Sequence, residues 1–170
     1  AERLFDIKFK AMKKFPKYHE EIKAYKVLDN NNKIVGIFLT DYFARPSKQG
    51  GAWMTSYQDQ SKNKGIKHPI VINVCNFPKP TKDKPTLLSF EQAITLFHEF
   101  GHGLHGLLSN VTYPSLSGTS VPRDYVEFPS QMMENWIRSP KVLKEFALHY
   151  ETGKKIPQDL LKKYEKCQKF

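Results

Sequence analysis

The chain has 170 residues, of which 27 are Lys or Arg and 17 are Asp or Glu, giving a formal net charge of +10. It contains no apolar run near the roughly 20 residues that span a bilayer and no basic-then-apolar leader pattern, so we expect no membrane partner. Its two cysteines, Cys75 and Cys167, are too few for a disulfide framework and are typical of a reducing compartment, so we expect a cytoplasmic protein.

The first half of the chain, residues 1–85, is predicted to be mainly β. Apolar residues alternate with lysines near the start, and an Asn-rich turn at 29–32 separates two apolar runs that read as a hairpin. The strongest strand is rich in β-branched residues and ends before Pro78. The predicted strands are residues 7–11, 25–28, 34–44, 52–55 and 69–77.

The second half, residues 86–170, is predicted to be mainly α. Ser89 followed by Gln92 is a capping box, and apolar residues then repeat at helical spacing. The next helix contains Pro129, which should kink it or remove one backbone hydrogen bond. The predicted helices are residues 89–108, 119–137, 139–150 and 158 onward, which makes the chain an α+β protein.

The positive charge comes mainly from lysines near both ends of the chain, and nucleic acid or an anionic surface could attract it. The lysines, however, alternate with apolar residues, as on the solvent-facing sides of strands and helices. Only four arginines are present, whereas proteins that read bases or clamp phosphates rely on arginine. We therefore expect no nucleic-acid partner.

One motif, His98-Glu99-Phe100-Gly101-His102, carries chemistry. Residues four apart share a helix face and lie about 6 Å apart along the axis, so both imidazoles can reach one Zn²⁺ ion. Glu99 lies about 100° around the helix, where it can take a proton from the attacking water. Gly101 and Gly103 each cost about 1 kcal/mol relative to alanine inside a helix, so we expect another element to approach closely there.

A catalytic zinc ion needs a third protein ligand and an open position. His105 lies on the same face as His98 but about 10 Å away along the axis, too far to share the ion. The better candidates are the acids of the next predicted helix, Asp124, Glu127 and Glu134. Glu127 and Glu134 share a face, and Asp124 lies nearer the helix start, where an acid is favoured anyway. Spacing alone does not choose among the three.

Three ordered motifs carry a family resemblance: residues 98–105, 116–119 and 123–131. They resemble the M3 zinc metallopeptidases, the thimet oligopeptidase family, and residues 41–46, 50–54 and 73–77 are most similar to its bacterial peptidyl-dipeptidases. The resemblance implies that His98, His102 and Glu127 bind zinc and that Glu99 is the general base. His105, Asp124 and Glu134 then stay as candidates for supporting the ligands or contacting substrate.

The resemblance also implies a zincin-like (gluzincin) catalytic core, a small sheet beside active-site helices. The implied activity is zinc-dependent hydrolysis of short peptides with release of C-terminal dipeptides. Family members are longer at both ends, so we expect residues 1–170 to be a fragment of a single metallopeptidase catalytic domain. The resemblance favours 69–77 as an edge strand that pairs with an extended substrate. Cys75 in that strand is expected to be a small buried residue.

The alternative is a non-catalytic module that binds metal or an acidic partner, the fragment itself being inactive. Glu99 argues against it, because a structural zinc site has no need of a general base and usually fills all four positions with Cys or His.

Overall fold

The computed structural model describes residues 1–167, except for the side chains of Glu165 and Cys167. The end of the predicted fourth helix, 168–170, lies outside the described residues. The chain divides into two compact units, Ala1–Glu134 and a second that begins at Asn135. In chain order the elements are α1 Glu2–Phe5, β1 Lys8–Ala11, β2 Lys23–Leu28, β3 Ile34–Phe43, β4 Trp53–Gln58, β5 Ile70–Phe77, α2 Phe90–Leu107, a 3₁₀ turn Pro114–Leu116, α3 Arg123–Val126, α4 Phe128–Ile137, α5 Pro140–Phe146 and α6 Gln158–Cys167.

The five strands form one mixed sheet with the order β1-β2-β3-β5-β4. β3 and β5 are parallel, and the other neighbouring strands are antiparallel. The predicted hairpin of β2 and β3 is confirmed, with Tyr25 opposite Phe38. Its turn is closed by the Asp29 carboxylate, which accepts a hydrogen bond from the N–H of Lys33 at 2.8 Å. The prediction of an α+β protein with a small sheet is confirmed.

Both faces of the sheet are apolar. Val71 of β5 and Phe38 of β3 belong to the core cluster that includes Leu104 and Leu107 of α2. The neighbouring residues Ile72 and Val74 belong to a second cluster together with residues of β2 and β3. Because alternate residues of β5 are buried on opposite faces, its sequence is apolar at consecutive positions, interrupted only by Asn73 and Asn76.

The sheet order corrects the expectation that residues 69–77 form an edge strand. β5 lies between β3 and β4, and β4 is the strand at that edge. An interior strand covered on both faces is mostly apolar, whereas β4 alternates and ends in the exposed polar residue Gln58. Cys75 is fully buried in β5, as predicted.

Helix α2 begins as predicted. The Ser89 hydroxyl accepts from the N–H of Gln92, and the Gln92 side chain accepts from the N–H of Ser89, so both halves of the capping box are present. After α2 the chain folds back over the end of the helix. Gly118 adopts a φ of +52°, and a Cβ added there would lie 3.0 Å from the Cα of Gly106, so glycine suits both the backbone and the close approach.

The predicted kinked helix at 119–137 is two helices in the structure. α3 ends at Val126, Glu127 follows it, and α4 begins at Phe128. Pro129 is therefore the second residue of a new helix, where its missing N–H has no intrahelical partner to lose.

In the second unit, α5 ends at Phe146, earlier than predicted, and Leu148 forms a β-bridge with Lys155. α6 begins at Gln158 as predicted.

Candidate metal centre

The centre is built where α2 and α4 touch at Gly101. A Cβ added to this glycine would lie 2.5 Å from the Cα of Ser130 and 2.9 Å from the carbonyl oxygen of Pro129. No other residue allows the two backbones to come this close. The close approach predicted from the glycines of α2 is confirmed, and it brings the start of α4 against the face that carries the histidines.

Glu127 lies between α3 and α4 and points its carboxylate at both histidines. Its Oε2 lies 3.2 Å from Nε2 of His98 and 3.1 Å from Nε2 of His102. Their ring centroids are 4.8 Å apart. Among the described residues, these three side chains are the one group of donors whose ligand atoms lie within 4.8 Å of one another.

The donor set fits a zinc ion. Two imidazole nitrogens and one carboxylate oxygen are ligands that zinc prefers, and two His with one Glu is a combination found in catalytic zinc sites. Burial lowers the pKa of His102, although the nearby Glu127 carboxylate opposes this. A neutral imidazole is the form that binds a metal, so the surroundings of His102 favour the ligand form.

Glu134 of α4 lies on the far side of His98 from Glu127. Its Oε1 is 2.6 Å from Nδ1 of His98. When Nδ1 carries the proton it donates to this carboxylate, and Nε2 is then left with a free lone pair. Glu134 therefore favours the tautomer of His98 that can bind a metal through Nε2.

Glu99 is buried beside the three donors, with 7% of its surface exposed. Its Oε2 has no hydrogen-bond partner among the described residues. Burial raises the pKa of Glu99, and the charge of Glu127 raises it further, while His98 acts in the opposite direction. A carboxylate in these surroundings is a stronger base than one in water.

The other two candidates lie outside the donor group. His105 packs its ring against Tyr125 of α3, with centroids 6.2 Å apart, and burial lowers its pKa. Asp124 is exposed in α3. The structure thus brings together His98, His102 and Glu127, and it places Glu134 in contact with His98.

Sequence reasoning missed two buried polar residues near the centre. Ser130 is fully buried, and its hydroxyl lies 3.0 Å from Oε2 of Glu127. Asn73 of β5 is also fully buried, and its side-chain atoms have no hydrogen-bond partner among the described residues. A Cβ added to Gly103 would lie 3.0 Å from the Asn73 Oδ1, so this amide lies directly beneath α2. A polar residue inside an apolar strand was the available signal for Asn73.

The family model described as peptidase family M3 matches residues 1–170. The chain is 45% identical over 171 residues to a dipeptidyl carboxypeptidase of Escherichia coli strain K12, covering 100% of this chain and 25% of that protein. It is 41% identical over 166 residues to oligopeptidase A of the same organism, covering 96% of this chain and 24% of that protein. It is 38% identical over 170 residues to a thimet-like oligopeptidase of Dictyostelium discoideum, covering 95% of this chain and 25% of that protein.

The chain therefore spans about a quarter of the length of these curated relatives. Within residues 1–167, no helix combines the length and the apolar character needed to cross a membrane.

Proposed function

Because this chain belongs to peptidase family M3, we propose that it carries the catalytic metal centre of a zinc-dependent peptidase with a zincin-like core. The supporting observation is the convergence of ligand atoms from His98, His102 and Glu127 beside the buried acid Glu99. Structural zinc sites are closed by four protein ligands, whereas catalytic sites keep one position open. Among the described residues this group has three donors, which suits a catalytic site.

In this proposal His98 and His102 bind zinc through Nε2, and Glu127 binds it through Oε2. A bound zinc ion supplies Lewis-acid chemistry, because it polarises a carbonyl oxygen and lowers the pKa of water. Glu134 keeps the proton of His98 on Nδ1, and α2 and α4 hold the three ligand side chains together. Residues 1–170 belong, in this proposal, to one catalytic domain.

Glu99 is the proton-transfer group of the proposed reaction. Its carboxylate takes a proton from the attacking water and gives it to the nitrogen of the leaving amine. The burial of Glu99 supports this role, since a raised pKa brings a carboxyl group closer to the neutral pH at which both transfers must occur.

The proposed substrates are short peptides, from which the intact enzyme releases C-terminal dipeptides. The assignment of short peptides as substrates rests on family membership. The release of C-terminal dipeptides rests on the similarity to proteins named dipeptidyl carboxypeptidase, at 45% and 43% identity. The outer edge of β4 has no partner strand among the described residues, and it belongs to the sheet that packs beneath α2. An extended peptide can add to such an edge through main-chain hydrogen bonds.

The test is made on the intact protein, with zinc content and peptide cleavage measured together. We expect about one zinc ion per chain by elemental analysis, and the release of dipeptides from the C-terminus of a short, N-terminally blocked peptide. Glu99→Gln should retain the zinc, because Glu99 is not a ligand, and should lose about 10²–10⁴-fold in turnover.

The double variant His98→Ala, His102→Ala is the control, because it should lose both zinc and cleavage. Near-normal cleavage by Glu99→Gln would show that another group moves the proton. Zinc uptake by the double variant equal to that of the wild-type protein would contradict the site itself.

A further inference from the structure

Ser130 contacts the same carboxylate oxygen that faces the two histidines. Its hydroxyl oxygen lies 3.0 Å from Oε2 of Glu127 and 2.8 Å from the backbone carbonyl oxygen of Glu127. That Oε2 is the atom 3.1 and 3.2 Å from the Nε2 atoms of His102 and His98. Ser130 is fully buried, and its hydroxyl has both a backbone carbonyl oxygen and a carboxylate oxygen of Glu127 within hydrogen-bond distance.

We propose that Ser130 is a positioning residue that holds Glu127 with Oε2 turned toward the histidines. The inference rests on the proposed zinc site, to which it adds a residue outside the ligand set. Glu127 needs such a contact because its side chain is 49% exposed and contains several rotatable bonds. Without an anchor, the exposed carboxylate would point into water in many of its rotamers.

The position of Ser130 is set by backbone packing. Its Cα lies against Gly101, so closely that a Cβ on that glycine would be 2.5 Å away. Gly101 lies between His98 and His102 on α2, and Ser130 lies one turn after Glu127. The contact that joins the two helices therefore also places the hydroxyl beside the ligand carboxylate.

The hydroxyl has one proton and two acceptors within reach. The backbone carbonyl is the nearer acceptor, at 2.8 Å, but a hydrogen bond to an ionised carboxylate is stronger than one to a neutral carbonyl, so Oε2 at 3.0 Å competes for the same proton. In this arrangement Ser130 orients the carboxylate before a metal arrives, and less ordering is needed when it binds. A purely structural serine would serve the backbone carbonyl alone.

The first measurement is the zinc affinity of the intact protein by competition with a chromophoric chelator. We expect Ser130→Ala to weaken zinc binding by about 10–100-fold, the range typical of groups that hold metal ligands in place. Ser117→Ala is the matched control, because Ser117 is also buried but its hydroxyl donates to the hydroxyl of Ser109 and not to a residue of the donor group. The control should bind zinc like the wild-type protein.

The second measurement separates positioning from general stability by a double-mutant cycle with Glu127→Ala. If Ser130 acts through the carboxylate, Ser130→Ala should cause no further loss of zinc affinity once Glu127 is alanine. If Ser130→Ala does not fold, Ser130→Cys, which keeps nearly the size of the side chain but has a much weaker donor, replaces it in the cycle.

Wild-type affinity in Ser130→Ala, or an equal loss in the presence and absence of the Glu127 carboxylate, would overturn the inference and leave the zinc site intact. A wild-type protein that binds no zinc would instead overturn the proposed function.

Discussion

At the residue scale, two glutamates of the centre have opposite surroundings. Glu99 is buried, with one carboxylate oxygen unpartnered among the described residues, and its pKa is raised. Glu127 is half-exposed and has a hydroxyl and two imidazoles around one oxygen. Environments that differ this much suit two different roles, proton transfer for Glu99 and metal binding for Glu127.

Glu134 gives a prediction at the same scale. Glu134→Gln keeps the size of the side chain but removes the charge that faces Nδ1 of His98 at 2.6 Å. A neutral amide is a weaker acceptor, so the metal-binding tautomer loses support and zinc affinity should fall by about 10–100-fold. The affinity is measured by chelator competition. Asp124→Asn is the control, because this exposed acid lies outside the donor group and should leave the affinity unchanged. An equal loss in both variants would show a nonspecific effect of charge.

At the element scale, the contact between α2 and α4 predicts a cost for any side chain at Gly101. Gly101→Ala places a methyl group 2.5 Å from the Cα of Ser130, so the helices must separate. We expect a loss of roughly 1–3 kcal/mol in the free energy of unfolding, as in other overpacked sites, together with weaker zinc binding. Both are measured by denaturant unfolding and chelator competition.

The matched control is Gly50→Ala. An added Cβ at Gly50 meets nothing within 4 Å, so this substitution should leave both quantities near their wild-type values. Unchanged zinc binding in Gly101→Ala would mean that the contact does not set the distance between Glu127 and the histidines.

The elements that could be predicted from the sequence are those set by residues close to one another along the chain. The capping box of Ser89 and Gln92, the helical repeat of α2 and the hairpin around Asp29 are local patterns, and each is found in the structure. The edge position of 69–77 was wrong because strand order is set by long-range pairing, which an apolar run does not encode. The single helix predicted over 119–137, kinked at Pro129 or missing one hydrogen bond there, was wrong because proline is equally compatible with the first turn of a new helix.

In the candidate site, too, the features set by local sequence could be predicted and those set by long-range packing could not. The spacing of His98 and His102 lies within one helix and could be read directly. The choice among Asp124, Glu127 and Glu134 depends on where a second helix crosses the first, which spacing alone could not give. Ser130 was missed because only the packing of α4 against Gly101 shows that its hydroxyl lies beside the Glu127 carboxylate and the histidines.

At the scale of the whole molecule, one buried carboxylate makes stability depend on pH. Asp41 of β3 is 1% exposed, and Arg45, Tyr18 and Lys48 donate hydrogen bonds to its carboxylate. Burial alone raises the pKa of Asp41, but the three donors outweigh it and lower the pKa to about 2. Lys48 also donates to the carbonyl of Cys75, so the cluster joins the end of β3 to β5.

The sign of the pH effect follows from this lowered pKa. The stabilisation is fully present above the ordinary pKa of an aspartate, 3.8, and is lost as the pH falls through about 2. We expect Asp41 to contribute roughly 2–3 kcal/mol at neutral pH, and Asp41→Asn to remove most of it. Denaturant unfolding between pH 2 and pH 7 measures this. A variant whose stability falls between pH 4 and pH 2 as steeply as that of the wild-type protein would show that other acids cause the loss.

Zinc itself should stabilise the whole molecule, because the three ligands come from α2 and from the junction of α3 and α4. An unfolded chain does not hold these donors within 4.8 Å of one another, so zinc binds the folded state preferentially. Such binding adds about 2.7 kcal/mol at a free zinc concentration one hundred times the dissociation constant.

We therefore expect the thermal midpoint of the intact, metal-depleted protein to rise by several degrees on addition of zinc and to fall again with a chelator. The rise should grow with the logarithm of the zinc concentration above saturation, which distinguishes linked binding from a general salt effect. His98→Ala, His102→Ala is the control, since it retains Glu127 but lacks two ligands, and its midpoint should not respond. A zinc-dependent rise of the same size in that variant would place the stabilising ion elsewhere in the molecule.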